Sequence, residues 1–415
     1  MLAAKKKIGE EAVVNFSKDF HRRVAVGLAC LACAGGVWLG CGQMEQGWAA
    51  SSTWQHLDVP DTGGGLVVDP QLLAYKRLQV FFGWSNNNSV VKAPEFSFSV
   101  FESGNKWTTI KAPFFGANLA GVRKVAAATA KYSVGVLFLH NIVEQSENAF
   151  EVMYSCSGDS GWSFSKPAVC DSFVLSGAGG GSDIDIAGVG GRKPSLCFGW
   201  TAENNMVKAA IFDPQYRGDR PRACNLGRQG VGCDKVELAG ENKGGFVTVW
   251  NDGQSLLSSY IRPLIGTNED SINIVRGKFG LNFSLCDNAG KNPLLVYDLP
   301  RLTKNDKSRR QVRRWEDGAW QAVPAAPPTA GEAPIGAALE ACQDKDGNLH
   351  VASLSRDGES IIYSCLKDGK FTNPETAIKL KPMIGCTGFN IAVQDKYVYI
   401  FASQGPSNQF VRRAL

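Results

Sequence analysis

The sequence predicts an all-β fold built from repeated units, and three observations carry this prediction. The chain has 415 residues with 46 Gly, 10 Trp and 10% aromatic residues, a composition typical of many short strands joined by tight turns. The segment FGWS at residues 82–85, followed by VKA at 91–93, recurs as FGWT at 198–201 followed by VKA at 207–209. After residue 50 no segment keeps apolar residues at helical spacing, so very little helix is expected.

The spacing of the repeat fits the blades of a β-propeller. Copies that begin 116 residues apart, at residues 82 and 198, correspond to two units of about 55 residues, the size of a four-stranded blade. Strongly apolar strands recur at residues 78–84, 134–140, 195–200, 246–250, 293–297, 349–354 and 397–402. We therefore predict a single propeller over residues 51–415, with seven four-stranded blades; six blades is the alternative.

Turn residues and the two ends of this region predict how the blades are completed. Asp-Gly pairs at 317–318 and 368–369 are typical of tight hairpins before an outer strand. Little sequence follows the seventh apolar strand, whereas residues 52–57 (STWQHL) resemble the outer strands KWTTI and AWQAV. We expect this N-terminal strand to complete the last blade and close the ring.

Residues 1–50 read as a targeting segment. An uncharged stretch at 24–40 follows His21-Arg22-Arg23, the order of a secretory signal. We expect an exported protein, located in the periplasm, on the cell surface or outside the cell. Cleavage, lipidation at Cys30, Cys33 or Cys41, and retention as a membrane anchor remain alternatives. The mild excess of 44 basic over 39 acidic residues does not indicate nucleic-acid binding.

An oxidising compartment would allow some cysteines to pair. Cys156 with Cys170, and Cys224 with Cys233, are close enough in sequence to close small loops. Buried free thiols are the competing interpretation for Cys197 and Cys286, which lie inside apolar strands.

One motif resembles a known family. The residues SGDSGWSF at 157–164 match the Asp box, S-x-D-x-G-x-[ST]-[WF], of sialidases and related propellers, with Ser157, Asp159, Gly161 and Phe164 at fixed positions. The resemblance implies a sialidase-like propeller in which the box is a structural turn on the face away from the active site. The arginine that such sialidases carry on the first inner strand is missing, because residues 65–70 read GLVVDP.

In a propeller, the loops between blades and the loops that join second to third strands form the functional face. The candidate ligand-binding residues in these loops are Arg123, Glu144, Asp183, Asp185, Glu203, Asn204 and Arg356. An Asp, a Glu and an Arg that converge there could bind or cleave a sugar, with Asp183 or Asp185 as the acid and Arg123 as part of a clamp for an acidic sugar. Solvated loop charges are the simpler interpretation.

A basic run is predicted as a loop of the fifth blade. It contains seven basic residues against one acidic residue, a net charge of +6: Arg301, Lys304, Lys307, Arg309, Arg310, Arg313 and Arg314, with Asp306. Such a loop could attract an acidic glycan, a membrane surface or a protein partner, or could simply be solvated. The sequence contains no zinc-ligand spacing and no phosphate loop, so no metal and no cofactor is expected.

Taken together, these patterns predict an exported β-propeller that serves as a non-catalytic binding module for a glycan or a surface protein. An exo-acting, sialidase-like glycoside hydrolase is the alternative. A third hypothesis is an assembly scaffold at an envelope, which would need no pocket.

Overall fold

The structure, a computed structural model, describes residues 54–59, 66–75, 77–85, 95–102, 106–111, 122–142, 148–158, 163–175, 183–190, 194–214, 221–229, 235–262, 272–276, 282–286, 291–299, 309–326, 338–382, 384–404 and 407–415. They belong to one compact unit, Ala50–Leu415. Among them the only helical element is a 3-10 turn at Glu203–Asn205. In this part of the chain no helix is long and apolar enough to cross a membrane.

The described strands form seven antiparallel sheets that follow one another along the chain. The first sheet holds β2 (Leu66–Tyr75), β3 (Arg77–Ser85), β4 (Glu95–Glu102) and β5 (Lys106–Lys111). The second holds β6 (Val122–Ala130), β7 (Ser133–Asn141), β8 (Ala149–Ser157) and β9 (Ala168–Val174). The third holds β10 (Ile184–Val189), β11 (Ser195–Thr201), β12 (Met206–Phe212) and β13 (Arg222–Arg228). The fourth holds β14 (Val236–Gly240), β15 (Phe246–Asn251), β16 (Ser255–Ile261) and β17 (Ile272–Arg276).

The remaining three sheets continue the pattern. The fifth holds β18 (Phe283–Cys286), β19 (Leu294–Leu299), β20 (Arg309–Glu316) and β21 (Ala319–Ala322). The sixth holds β22 (Ala338–Gln343), β23 (Leu349–Leu354), β24 (Ser360–Lys367) and an outer position divided between β25 (Lys370–Phe371) and β26 (Glu375–Lys379). The seventh holds β27 (Gly388–Gln394), β28 (Tyr397–Gln404), β29 (Ser407–Ala414) and β1 (Gln55–Leu57).

The first strands of the sheets form a closed ring. β2 contacts β6, and the contacts continue through β10, β14, β18 and β22 to β27, which returns to β2. The approach of β10 to β6 is close enough that a Cβ built at Gly188 would lie 2.0 Å from the carbonyl oxygen of Thr129. This cyclic order of four-stranded sheets is the architecture of a β-propeller.

The ring is closed by the N-terminal strand, as the sequence predicts. β1 pairs antiparallel with β29, with His56 opposite Val411. The last sheet therefore takes its inner three strands from the C-terminal end of the chain and its outer strand from residues 55–57. Pairing the two ends removes a free sheet edge.

The core lies between neighbouring sheets, and this explains the continuous apolar runs in the second strands. On β7, Leu137 and Leu139 pack toward Phe198 of the third sheet, while Val136 and Phe138 pack on the opposite face. Because both faces of each sheet are covered, residues pointing in either direction must be apolar.

The predicted Asp box joins β8 to β9, at the end of the ring opposite the start of the first strands. Ser157 is buried, and Phe164 packs against the cluster that contains Val125 and Phe138. Asp159 and Gly161 lie outside the described residues. The predicted hairpin at Asp317-Gly318 is confirmed, because both residues have positive φ, 49° and 82°, as a type I′ turn requires.

The predicted disulfide between Cys156 and Cys170 is wrong, since both are free thiols. Ala168 lies opposite Tyr154, so Cys170 lies about four residues, or ~13 Å of strand, from Cys156. A disulfide allows Cα atoms no more than about 7 Å apart. Cys224 is also a free thiol, while Cys233 lies outside the described residues. The buried free-thiol interpretation is confirmed for Cys197 and Cys286.

Candidate functional site

The beginnings of the first strands meet at one end of the ring axis. The carboxylate of Asp183, directly before β10, accepts the backbone N–H of Val236 at 2.7 Å. Two residues further along both strands, Asp185 accepts the N–H of Leu238 at 2.6 Å. The two strands therefore run side by side in the same direction and start at the same level.

The same kind of bond continues around the ring. Glu237 of β14 accepts the N–H of Leu285 in β18, and the Ser284 hydroxyl accepts the N–H of Ala341 in β22 at 3.1 Å. A first strand has no further strand on the side that faces the ring axis, so the backbone amides on that edge need other acceptors. Polar side chains from the preceding sheet supply them.

Two lysines lie among these carboxylates. We call the whole group the axial cluster and define it as Lys124, Asp183, Asp185, Lys235, Glu237 and Glu340. The ammonium group of Lys124 lies 2.7 Å from Oδ1 of Asp183. The ammonium of Lys235 lies 2.5 Å from Oε1 of Glu237 and 3.5 Å from Oε1 of Glu340.

Lys235 also reaches across the fifth sheet. Its Nζ donates to the carbonyl oxygen of Phe283 at 2.8 Å and to that of Leu339 at 3.4 Å. Phe283 belongs to the fifth sheet and Leu339 to the sixth, so this single side chain connects three consecutive sheets at the axis.

Burial dominates the electrostatics of the axial cluster. It raises the pKa of Glu237 to about 7, against the opposing effect of Lys235. Burial also raises the pKa of Glu340, again opposed by Lys235. The pKa of Asp185 is raised by burial first and by the charge of Glu237 second. Burial alone would lower the pKa of Lys235, but Glu237 and Glu340 outweigh it, so this pKa is raised.

Glu237 and Glu340 form a close carboxyl pair. Because both Oε1 atoms contact one ammonium nitrogen, at 2.5 and 3.5 Å, they lie at most about 6 Å apart. This upper limit overlaps only the lower end of the ~5 to 10 Å that separates the paired carboxyl groups of glycosidases. The Glu340 side chain is 29% exposed to solvent, whereas the Glu237 side chain is 10% exposed. Of this pair, Glu340 is the one more open to a ligand.

The structure brings together two of the predicted site residues. Asp183 and Asp185 both belong to the axial cluster, but each uses an oxygen to hold a backbone amide of the next sheet. Arg123 is exposed on β6, at a bulge beside Lys124.

The other predicted site residues lie on separate loops. Glu203 and Asn204 form the 3-10 turn after β11, where Glu203 pairs with Lys208 at 3.3 Å. Arg356 is exposed in the turn between β23 and β24. Glu144 lies outside the described residues.

The predicted basic loop is partly a strand. Arg309, Arg310, Arg313 and Arg314 lie on β20. Arg310 is buried and forms a two-point ion pair with Asp298, at 2.9 and 3.1 Å. Because alternate residues of a strand point to opposite faces, Arg310 points into the interface between two sheets, where its charge is neutralised. Arg301, Lys304 and Lys307 lie outside the described residues.

Sequence reasoning missed Lys124, Lys235, Glu237 and Glu340. A signal was present, because Asp183-x-Asp185 and Lys235-x-Glu237 both place charged residues two apart where a first strand begins. Residues two apart share one face of a strand, so each pair points toward the same neighbouring sheet.

No family model and no curated protein matches the chain. Among solved structures, it is similar to an α-L-arabinanase of Penicillium chrysogenum complexed with arabinobiose, at TM-score 0.50 and 9% identity over 88% of this chain and 98% of that one. It is also similar to the polysaccharide lyase Uly1, at TM-score 0.50 and 11% identity over 84% of this chain and 90% of that one. A Hadza microbial sialidase aligns at TM-score 0.46 and 13% identity, over 84% of this chain and 66% of that one. The two matches at TM-score 0.50 agree with the β-propeller fold of the chain.

Proposed function

We propose that the chain is a glycan-binding propeller that hydrolyses glycosidic bonds at the axial cluster, with Glu237 and Glu340 as its carboxyl pair. The observation that carries this proposal is the shared contact of both carboxylates with Lys235, which keeps them close together. Glycoside hydrolysis generally uses two carboxyl groups, one that donates a proton and one that stabilises positive charge.

The surroundings of the two groups suggest their roles. Both oxygens of Glu237 are engaged, one by Lys235 and one by the N–H of Leu285, which leaves neither oxygen free to donate a proton to a ligand. Glu340 is more exposed, and burial raises its pKa. We assign Glu340 as the proton donor to the glycosidic oxygen and Glu237 as the carboxylate that stabilises the developing positive charge.

A non-catalytic glycan-binding module is the second candidate, and one observation favours it. Asp183, Asp185 and Glu237 each hold a backbone amide of the next sheet, which is a structural task. On this alternative the axial cluster only stabilises the ring, and a ligand binds on the surrounding loops. Export and attachment through residues 1–50 remain proposals under either function.

The test is an assay of the full chain on fluorogenic glycosides. Because the arabinanase with a similar fold was solved with arabinobiose, the panel should include α-L-arabinofuranosides together with sialyl and neutral hexosyl probes. Removing a proton donor typically costs about 10²- to 10⁴-fold in rate, so Glu340→Gln should remove turnover. Glu316→Gln is the matched control, since Glu316 is half-exposed on β20 and pairs only loosely with Arg314, at 3.4 Å.

The outcomes separate the two candidates. Turnover that Glu340→Gln abolishes and Glu316→Gln preserves supports the hydrolase. Binding of arabino-oligosaccharides or array glycans without turnover supports the module. Turnover that survives in Glu340→Gln rules out the assigned proton donor.

A further inference from the structure

Lys235 differs from an ordinary surface lysine in the number of oxygens around it. Its ammonium contacts four oxygens, two from carboxylates and two from backbone carbonyls, and they come from three sheets. An ammonium group has three hydrogens to donate, so its donor capacity is fully used in this position.

The charges facing this ammonium come from several elements. Glu237 lies on β14 beside it, Glu340 reaches it from β22, and the charge of Asp183 also acts on it from the start of β10. Lys124 neutralises Asp183 from the other side. Lys235 is therefore the only described cation in direct contact with the Glu237 and Glu340 pair.

Two carboxylates this close repel each other when both are ionised, and a shared cation reduces that repulsion. Groups that interact so strongly lose their protons as a pair and not independently. The separation of the pair and its protonation thus both depend on one side chain, which the sequence places directly before β14.

We propose that Lys235 is a positioning residue that holds Glu237 and Glu340 at their working separation and couples them into one protonation unit. This inference rests on the function proposed above, because it gives the carboxyl pair the arrangement that glycoside cleavage needs. Lys235 acts through the two carboxylates and is not assigned any contact with substrate.

The direct test is to titrate the carboxyl groups. The full chain is labelled with ¹³C at the glutamate side-chain carboxyl carbons, and their chemical shifts are followed with pH by NMR. The signals of Glu237 and Glu340 are identified by their loss in Glu237→Gln and Glu340→Gln. This readout needs neither a substrate nor turnover.

Lys235→Met keeps the length of the side chain but removes its charge. Both midpoints should rise by about one pH unit or more, because an adjacent cation favours the ionised carboxylate. Lys235→Arg retains a cation, so both midpoints should stay close to those of the parent chain. Lys208→Met is the matched control, because Lys208 pairs with Asp171 and Glu203 on other elements; it should leave both midpoints unchanged.

A second measurement leaves Lys235 in place, in case Lys235→Met fails to fold. Burial is the main cause that raises the pKa of Glu237 to about 7, and the charge of Glu340 adds to it, so Glu340→Gln should lower the Glu237 midpoint. An unchanged Glu237 midpoint in Glu340→Gln, or unchanged midpoints in folded Lys235→Met, would overturn the proposal.

Activity adds an independent readout. If the chain hydrolyses a glycoside, Lys235→Met should shift the pH–rate profile in the same direction as the midpoints, and lower kcat with little change in KM. Coupled midpoints in a chain that turns over no glycoside would support the coupling and contradict the proposed function, so the two failures are distinguishable.

Discussion

The indole nitrogen of Trp54 donates a hydrogen bond to Oε1 of Glu375, 321 residues further along the chain, at 3.0 Å. The Trp54 ring also meets Tyr363 edge to face, with centroids 5.1 Å apart. Trp54 directly precedes β1, so it anchors the closing strand to the sixth sheet.

Trp54→Ala should lower the free energy of unfolding by about 3 to 5 kcal/mol, because it removes a large buried ring from the closure of the propeller. Trp54→Phe keeps a ring and loses only the indole N–H, so a loss of about 1 kcal/mol is expected. Urea denaturation followed by circular dichroism measures both. Equal stability of Trp54→Ala and the parent chain would show that β1 does not hold the ring closed.

A buried histidine should make stability depend on pH. His350 is bound by the Tyr363 hydroxyl at 2.7 Å and by Asp344 at 3.3 Å, and burial lowers its pKa. The unfolded chain then binds this proton more readily than the folded chain. The free energy of unfolding should therefore fall as the pH drops below about 6.5, with a slope of at most about 1.4 kcal/mol per pH unit.

The test compares how steeply the free energy of unfolding changes with pH in each variant, and not how stable each variant is. His350→Gln should flatten the dependence between about pH 6.5 and the lowered folded-state pKa, whereas His56→Gln, at an exposed position on β1, should leave it unchanged. Denaturant titrations at several pH values provide the slopes. The prediction fails if His350→Gln retains the full slope.

Asp185 should behave as a structural residue. Burial and Glu237 raise its pKa, which favours the neutral form, and one of its oxygens accepts the N–H of Leu238. Asp185→Asn preserves a neutral acceptor and should change stability little, whereas Asp185→Ala orphans that amide and should cost about 1 to 3 kcal/mol. Folded Asp185→Asn that loses turnover would instead assign chemistry to this carboxyl.

The fold could be predicted from sequence because its signals are local. Apolar second strands, aromatic outer strands and Asp-Gly turns each lie within a few residues, and the resemblance of residues 52–57 to other outer strands predicted the closing strand. The axial cluster depends on contacts between sheets. Lys235 donates to Leu339, 104 residues away, and nothing near either residue predicts that contact.

The incorrect predictions have the same origin. Cys156 and Cys170 are near each other in sequence, but the register of their strands separates them. The density of positive charge predicted a loop, but the alternation of β20 turns Arg310 inward and buries it.

Cys156 and Cys170 should be protected from alkylation in the folded chain. Burial raises the pKa of Cys156 and of Cys170 to about 12, so little reactive thiolate forms near neutral pH. Iodoacetamide should label neither residue before unfolding and both afterwards, as measured by peptide mass spectrometry. A Cys156–Cys170 cross-linked peptide under non-reducing conditions would contradict the observed strand register.

The buried ion pair of Arg310 and Asp298 should be costly to break and nearly neutral to replace. Nε and Nη2 of Arg310 bind the two carboxylate oxygens, and Nη2 also reaches Ser353 of the sixth sheet at 3.0 Å. Arg310→Met leaves Asp298 charged and buried, so a loss of about 3 to 5 kcal/mol is expected. Adding Asp298→Leu to that variant should recover most of the loss, because no unpaired charge remains.

Arg314→Met is the control from the same strand. The Arg314 and Glu316 side chains are 43% and 42% exposed, so the change in the free energy of unfolding should stay within about 0.5 kcal/mol. Together with the Asp298→Leu single variant and the parent chain, Arg310→Met and the double variant form a double-mutant cycle. Additive losses would show that Arg310 and Asp298 act independently and that the basic run is not neutralised at this position.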